Sequence, residues 1–457
     1  MRVKTRKPLL AIMVGCSMLC LAACRPAPQI QASAAPVTLY FDGKRAFTLE
    51  KEFAPSFTYR HSGTAASRRA TTWLRNRFTE LGWSCSFDEW TIINYSKPVS
   101  LRNVVCKLPG HSQREILVVA HHDQAPTTVE GADNDGSGIA VLLHLAELFA
   151  RERPLKYTLV FVATDGEEYG MLGSRRYVQT HPNTANIIAG LSLDNLGRYY
   201  YNGMYMELTG QFRRYGPIWL ALAAREAARA AKGVWVPQLR PLLTQISDQA
   251  GPISFMDQGP MVAAGIPALG FTANVPGKFS DLHYRLWHDP QDTIAFQSAE
   301  ALQQSGRVVE ACLRQLLAMD TFPQEQGPYL YFAEQGELLQ GTPLSAIFLG
   351  FVLLFFSGSW LTGRGSSESK LQQWGRALPH FLGFWLPLVA ALLLLYLFVA
   401  VGLLEKYALY PATSKDPALL HPRWPTVILF LVGLAVLLGL GRWLVRGFSV
   451  PLSAPTP

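Results

Sequence analysis

The sequence predicts an α/β domain, a mixed sheet with a parallel centre flanked by helices, followed by a transmembrane helical segment. Three observations predict it. Apolar strand-like runs alternate with longer helix-like runs through the first two thirds of the chain. Acidic and imidazole residues fall at the carboxyl ends of those strands, where α/β sheets gather ligands. Apolar residues crowd into the N-terminal tail and the stretch after Pro343, although overall the chain is 49% hydrophobic and 16% charged. At 457 residues the chain exceeds the size at which single cores stop growing, about 250–300 residues, so one large domain plus a smaller part is expected.

Arg2, Lys4, Arg6 and Lys7 precede an apolar run over 9–21, too short for a comfortable membrane span and suited to an export signal. Leu21-Ala22-Ala23-Cys24 resembles a bacterial lipobox, which makes 1–23 a signal peptide and Cys24 a lipidated mature start. An uncleaved anchor, or cleavage after Ala34, are the alternatives, and each places the following domain outside the cytoplasm. Residues 24–37 read as a linker and 38–320 as the domain.

Within the domain, 65–81 puts Trp73, Leu74, Phe78 and Leu81 on one helical face, and 83–92 and 101–108 read as strands. Cys85 and Cys106 lie in those two strands, as a disulfide or as two buried thiols. A buried apolar strand over 115–120 ends at His121, and 137–152 is a helix with an apolar stripe. The strand 157–163 ends just before Asp165-Gly166-Glu167-Glu168, and 187–193 ends at Asp194. Residues 321–343, rich in Pro, Gly, Gln and Glu, read as a linker holding one short strand at 329–332.

Three apolar segments, 344–361, 378–404 and 427–444, form a membrane domain over 344–446 with three transmembrane helices. Arg364, Lys370, Arg376, Arg442 and Arg446 flank them, so the net charge of +8 is a topology signal and not a nucleic-acid footprint. The opposite loop holds Lys406, Lys415 and Arg423, so the export signal orients the bundle: domain outside, C-terminus inside. The expected place is a bacterial cell envelope, with the domain extracytoplasmic and membrane lipid as a partner.

His121, Asp133, Glu167, Glu168, Asp194 and His288 supply two imidazoles and four carboxylates. A pair of zinc ions needs two imidazoles and three carboxylates, which leaves one carboxylate to move a proton. The strings that carry these residues are His121-His122-Asp123, Gly131-Ala132-Asp133-Asn134-Asp135-Gly136-Ser137-Gly138, Glu167-Glu168-Tyr169-Gly170, Asp194, and His288-Asp289-Pro290-Gln291-Asp292-Thr293. In this order they resemble the M28 family of zinc metallopeptidases, aminopeptidases with co-catalytic zinc.

The resemblance implies two Zn2+ ions, one held by His121 and Asp194, the other by Glu168 and His288, with Asp133 bridging them. Two dications this close repel unless an anionic oxygen lies between them. It further implies that Asp123 orients the His121 imidazole, that the peptide bond after Asp133 is cis, and that Glu167 is the general base. Peptides with a free amino terminus are the implied substrates, with Glu167 and Asp194 nearest to the ammonium group. A glutaminyl-cyclase-like acyl transferase, which needs a single zinc, and a non-catalytic membrane-anchored receptor or scaffold are the alternatives.

Plainer readings apply to the neighbours. His122 packs or meets solvent, Asp135 shapes a turn with Gly136, and Asp292-Thr293 caps a helix. His283 competes with His288 for metal, and the Pro-x-Asp-Thr string favours His288. Ser247-Asp248-Gln249 stands for a family Ser-Asp-His string, with Gln249 departing from it. Tyr200, Tyr201, Tyr205 and Phe279 either line a pocket or pack the core.

Overall fold

A computed structural model describes residues 38–323 except 95–96 and 251, then 329–332 and 337–340. It also describes 25–26 ahead of these, and 394, 397, 428–429, 431–436 and 439 beyond them. The chain divides into two compact units, Met1–Ser345 and Ala346–Pro457.

The first unit begins with β1, Arg25–Pro26, and α1, Gly43–Phe53, whose first turn is capped by the Asp42 carboxylate accepting from Lys44 N. α2, Ala65–Glu80, starts where the Thr64 hydroxyl accepts from Ser67 N, and it buries Leu74 and Phe78. Gly82, at φ +80°, lets the chain turn directly into β2, Ser84–Asn94. β3, Lys97–Leu108, pairs antiparallel with β2 in a register that sets Cys85 opposite Cys106, and these two cysteines form a disulfide.

β4, Gly110–His121, alternates in burial at its start and is then buried on both faces, as a central strand requires. α3, Gly138–Ala150, is buried along nearly its whole length. There follow β5, Leu155–Thr164, α4, Leu172–Thr180, β6, Ile187–Asp194, and β7, Met204–Glu207. The helices α5, Ile218–Ala230, α6, Leu242–Ala250, and α7, Gln258–Ala264, lead to β8, Ala268–Ala273. α8, Ser280–Leu286, and α9, Ala299–Ala318, complete the domain before β9, Tyr329–Phe332, and β10, Glu337–Gln340.

β2 to β8 make one sheet in the order β2-β3-β5-β4-β6-β8-β7. The four central strands β5, β4, β6 and β8 are parallel, and the outer pairings are antiparallel. Period-two alternation divides the inner strands between two cores. Ile116, Val118, Leu159 and Phe161 join the cluster containing α2, α3 and α9, while Leu117, Val119, Val160 and Val162 meet Tyr177 of α4 and Met261 of α7. With helices on both faces, only the strand ends and loops remain for chemistry.

The stretch read as a linker contributes packing. Tyr329 and Tyr331 are buried, and the Tyr329 hydroxyl donates to Gly216 O at 2.9 Å. β9 pairs with β10 and also with two glutamine side chains of α6. Gln249 accepts from Tyr329 N at 3.1 Å and donates to Tyr329 O at 2.6 Å, while Gln245 does the same for Tyr331 at 3.0 and 3.2 Å. Gln249 therefore works as a substitute strand edge, a role that its comparison with a histidine could not suggest.

In the second unit the described positions are helical, and Leu397, Ile428, Leu429, Leu431, Val432 and Val436 expose about half of their surface. The expected signal segment 1–23, Cys24, and most of the three expected spans lie outside the described residues. Among the described residues no helix is long and apolar enough to cross a membrane.

Candidate metal centre

Parallel pairing brings the carboxyl ends of β4, β5 and β6 to one edge of the sheet. His121 is the last residue of β4 and lies in register with Thr164 of β5, while Asp194 is the last of β6. Glu167 and Glu168 follow β5 in a tight loop where Gly166 takes φ +77°. His288 reaches the same place from the loop after α8, itself in the left-handed region at φ +50°.

The side chains converge. His121 Nε2 lies 3.8 Å from Asp194 Oδ1 and 3.9 Å from Glu167 Oε2, and His288 Nε2 lies 3.1 Å from Glu168 Oε2. His121 with Glu167 and Glu168, and His121 with Asp135 and Asp194, form two groups spaced as metal ligands are. Asp123 underlies them: its carboxylate accepts from Glu167 N and Glu168 N at 3.2 and 3.3 Å and faces His121 Nδ1 at 3.4 Å. That contact holds the imidazole with Nε2 towards Glu167 and Asp194.

Asp133 lies apart from these groups. The expected bridge joins a second buried cluster, 3.1 Å from Arg198 Nε, accepting from Gly197 N at 3.1 Å and from the Tyr201 hydroxyl. The residue between the two expected ligand pairs is Asn134. Its Oδ1 lies 2.8 Å from His121 Nε2, and its Nδ2 lies 2.8 Å from Glu168 Oε1 and 2.9 Å from His288 Nε2. The cis peptide bond expected after Asp133 lies between Asn134 and Asp135.

Asp292 is not a helix cap. Its carboxylate accepts from Asp133 N and Asn134 N at 3.1 and 3.2 Å and pairs with Arg198, so it fixes the turn that separates those two side chains. Asp135 does shape a turn, accepting from Gly138 N at 2.8 Å, and it also accepts from His121 N at 3.2 Å. His122 is buried with Nε2 3.0 Å from Arg102 O. His283 faces Arg198 at 3.1 Å, away from the ligand groups. Tyr201 serves Asp133, Tyr200 stacks on Phe279, and Tyr205 lies under Arg240.

The reading missed Asp257. Asp248 is half-buried on α6, whereas Asp257, at the start of α7, is buried, accepts from the Thr164 hydroxyl and is pushed up to about 7 by burial. Its position eight residues before Gly265-Ile266-Pro267 was the available signal.

Burial pushes the Glu167 carboxyl well above its ordinary value, and Glu168, Asp194 and Asp257 add to the effect against His121. Asp194 is raised for the same first reason. Burial opposes charge on His121, but Asp123, Asp194 and Glu167 outweigh it and lift the imidazole well above its usual value. A buried set of carboxylate oxygens and imidazole nitrogens is the donor chemistry of a divalent cation, and these donors suit zinc. The residues that would hold it are His121, Asp194, Glu168 and His288, with Asp135 and Glu167 beside them.

Residues 103–313 match the family model described as Peptidase family M28. That stretch takes in 211 of the 457 residues. A probable zinc metalloprotease of Pyrenophora tritici-repentis is 34% identical over 149 residues, which are 28% of this chain and 34% of that one. The chain thus spans about a third of the length of the curated relatives it matches. The domain shares its fold with a Porphyromonas gingivalis glutaminyl cyclase at TM-score 0.51 and 22% identity, covering 60% of this chain and 99% of that one. It also shares it with a zinc aminopeptidase of Bacillus subtilis at TM-score 0.51 and 17% identity, covering 61% and 96%.

Proposed function

We propose that the M28 domain hydrolyses peptide bonds in a zinc-dependent reaction, removing N-terminal amino acids from peptides outside the cytoplasm, with Glu167 as the proton carrier. The observation that carries this reading is the convergence of Glu167 with His121, Glu168 and Asp194 in one buried cluster at the sheet edge. Zinc, when bound, supplies Lewis acidity to the scissile carbonyl.

The chain's own residues do the rest. Glu167, raised by burial, is suited to taking a proton from the attacking water as the C–O bond forms. It returns that proton to the departing nitrogen as the C–N bond breaks. Asp123 positions both Glu167 and Glu168 through their backbone N–H groups, so the two neighbouring carboxylates keep different tasks. Asp194 gives an ammonium group of the substrate a nearby negative charge.

The disulfide between Cys85 and Cys106 supports an oxidising compartment, in keeping with export to a bacterial cell envelope. The exposed apolar side chains of Leu397, Ile428, Leu429, Leu431, Val432 and Val436 support contact with membrane lipid, which would anchor the domain through three spans. Lipidation of Cys24 belongs to the same proposal.

A second reading has one observation in its favour. Asn134, a neutral amide between the ligand pairs, suits a single-ion acyl transferase of the glutaminyl cyclase type, and a neighbour in fold carries that title. The test is the full chain in detergent, with chelator or with zinc restored, against aminoacyl chromogenic substrates and a glutaminyl peptide. Chelator-sensitive release of free amino acid is the expected result. Cyclised product alone would replace the peptidase with the cyclase, and silence with zinc bound would leave the scaffold.

A further inference from the structure

The side chain of Asn134 touches both expected ligand pairs. One end of its amide meets His121 at 2.8 Å, and the other meets Glu168 and His288 at 2.8 and 2.9 Å. A carboxylate there would offer two anionic oxygens, one to each side. An amide offers one neutral carbonyl oxygen, and its other end is an NH2 group with two outward hydrogens and no lone pair available to a cation. Whichever way the amide is turned, only one side receives a ligand atom, and the other faces N–H donors that repel a dication.

The three aspartates around the turn are already engaged. Asp133 is fixed by Arg198, Gly197 N and Tyr201. Asp135 is fixed by His121 N and Gly138 N, and Asp292 by Asp133 N, Asn134 N and Arg198. Moving Asp133 or Asp292 inward would break a buried ion pair or expose buried backbone N–H groups, and Asp135 stands only with His121 and Asp194, on one side.

We infer that this site holds one divalent ion per chain, and that the amide of Asn134 is what excludes the second. The inference rests on the zinc reading given above and departs from the two ions that the sequence resemblance implies. Two dications within about 4 Å repel strongly without an anionic oxygen shared between them, and position 134 supplies none. Asn134→Asp restores the second oxygen and the negative charge without changing side-chain size, so it should convert the site from one ion to two.

The experiment is elemental analysis of the full-length chain after equilibrium dialysis in excess zinc, with protein quantified by amino-acid analysis. Wild type is expected at one zinc per chain and Asn134→Asp at two. Competitive titration of the wild type with a chromophoric chelator gives an independent count, expected as a single-site curve, and it decides the matter even where the variant does not fold. Two zincs on the wild type would overturn the inference while leaving zinc dependence intact. A folded Asn134→Asp chain that stays at one zinc would also overturn it. No zinc on the wild type would remove both this inference and the reading on which it rests.

Discussion

Asp133 and Asn134 are adjacent in sequence and belong to two different structures. Asn134 faces a cluster where carboxylates and imidazoles stand close together, a set that a divalent cation would hold together. Asp133 faces a buried cluster in which Arg198 already supplies the positive charge, with Asp292 and Tyr201 completing it. Both regions solve the same problem, negative charge out of water, and they solve it differently. The first uses donors suited to an external ion and can therefore do chemistry. The second uses a guanidinium of this chain and can only hold shape. Asp292 joins them, because it holds the backbone N–H groups of both residues and so sets which side chain goes where.

The sharpest way to separate the two regions is to remove the proton carrier from one of them. Glu167→Gln should lower turnover by about 10²–10⁴-fold with zinc content unchanged, measured by peptide hydrolysis and elemental analysis on the same sample. Loss of zinc together with activity would make Glu167 a ligand and erase its distinction from Glu168.

Arg198→Met attacks the other region. It leaves Asp133 and Asp292 buried without their cation and should lower stability by about 3–5 kcal/mol in denaturant unfolding. A smaller change of the same kind is Asp133→Asn, expected to cost about 2–3 kcal/mol, as for a hydrogen bond to a charged group. The decisive readout there is zinc, which should stay at its wild-type level. A drop would return Asp133 to the metal and undo the comparison.

The smallest expected effect concerns His283, which packs against Arg198. Burial, and then the Arg198 charge, lower its imidazole to about 4 from an ordinary value of 6.5. The unfolded chain therefore takes up a proton below pH 6.5 that the folded chain refuses. Its stabilising contribution is complete above pH 6.5 and fades as pH falls towards 4, by roughly 2 kcal/mol once partial exposure is allowed for. His283→Gln should flatten thermal stability across that window, as followed by calorimetry. An unchanged slope would mean that other groups carry the acid sensitivity.

Much of this was legible in the chain itself. Alternating apolar runs announced β4, β5 and β6, and the residues at their ends, His121, Glu167, Glu168 and Asp194, followed, because a parallel sheet sends every such end to the same edge. Which of Asp133, Asn134 and Asp135 meets both ligand pairs was not legible. They lie in an irregular turn where Asn134 and Asp135 leave helical geometry, and no periodicity says where consecutive side chains point. Gln249 and Asp292 were opaque for a related reason, since their partners, Tyr329 and the 133–134 backbone, are 80 and 158–159 residues away. Sequence determined the kinds of donor and the strand ends that carry them, through local patterns of hydrophobicity. Tertiary structure decided which carboxylate is neutralised by an arginine and which position between the ligand pairs is left to an amide, because both depend on a turn held by a distant aspartate.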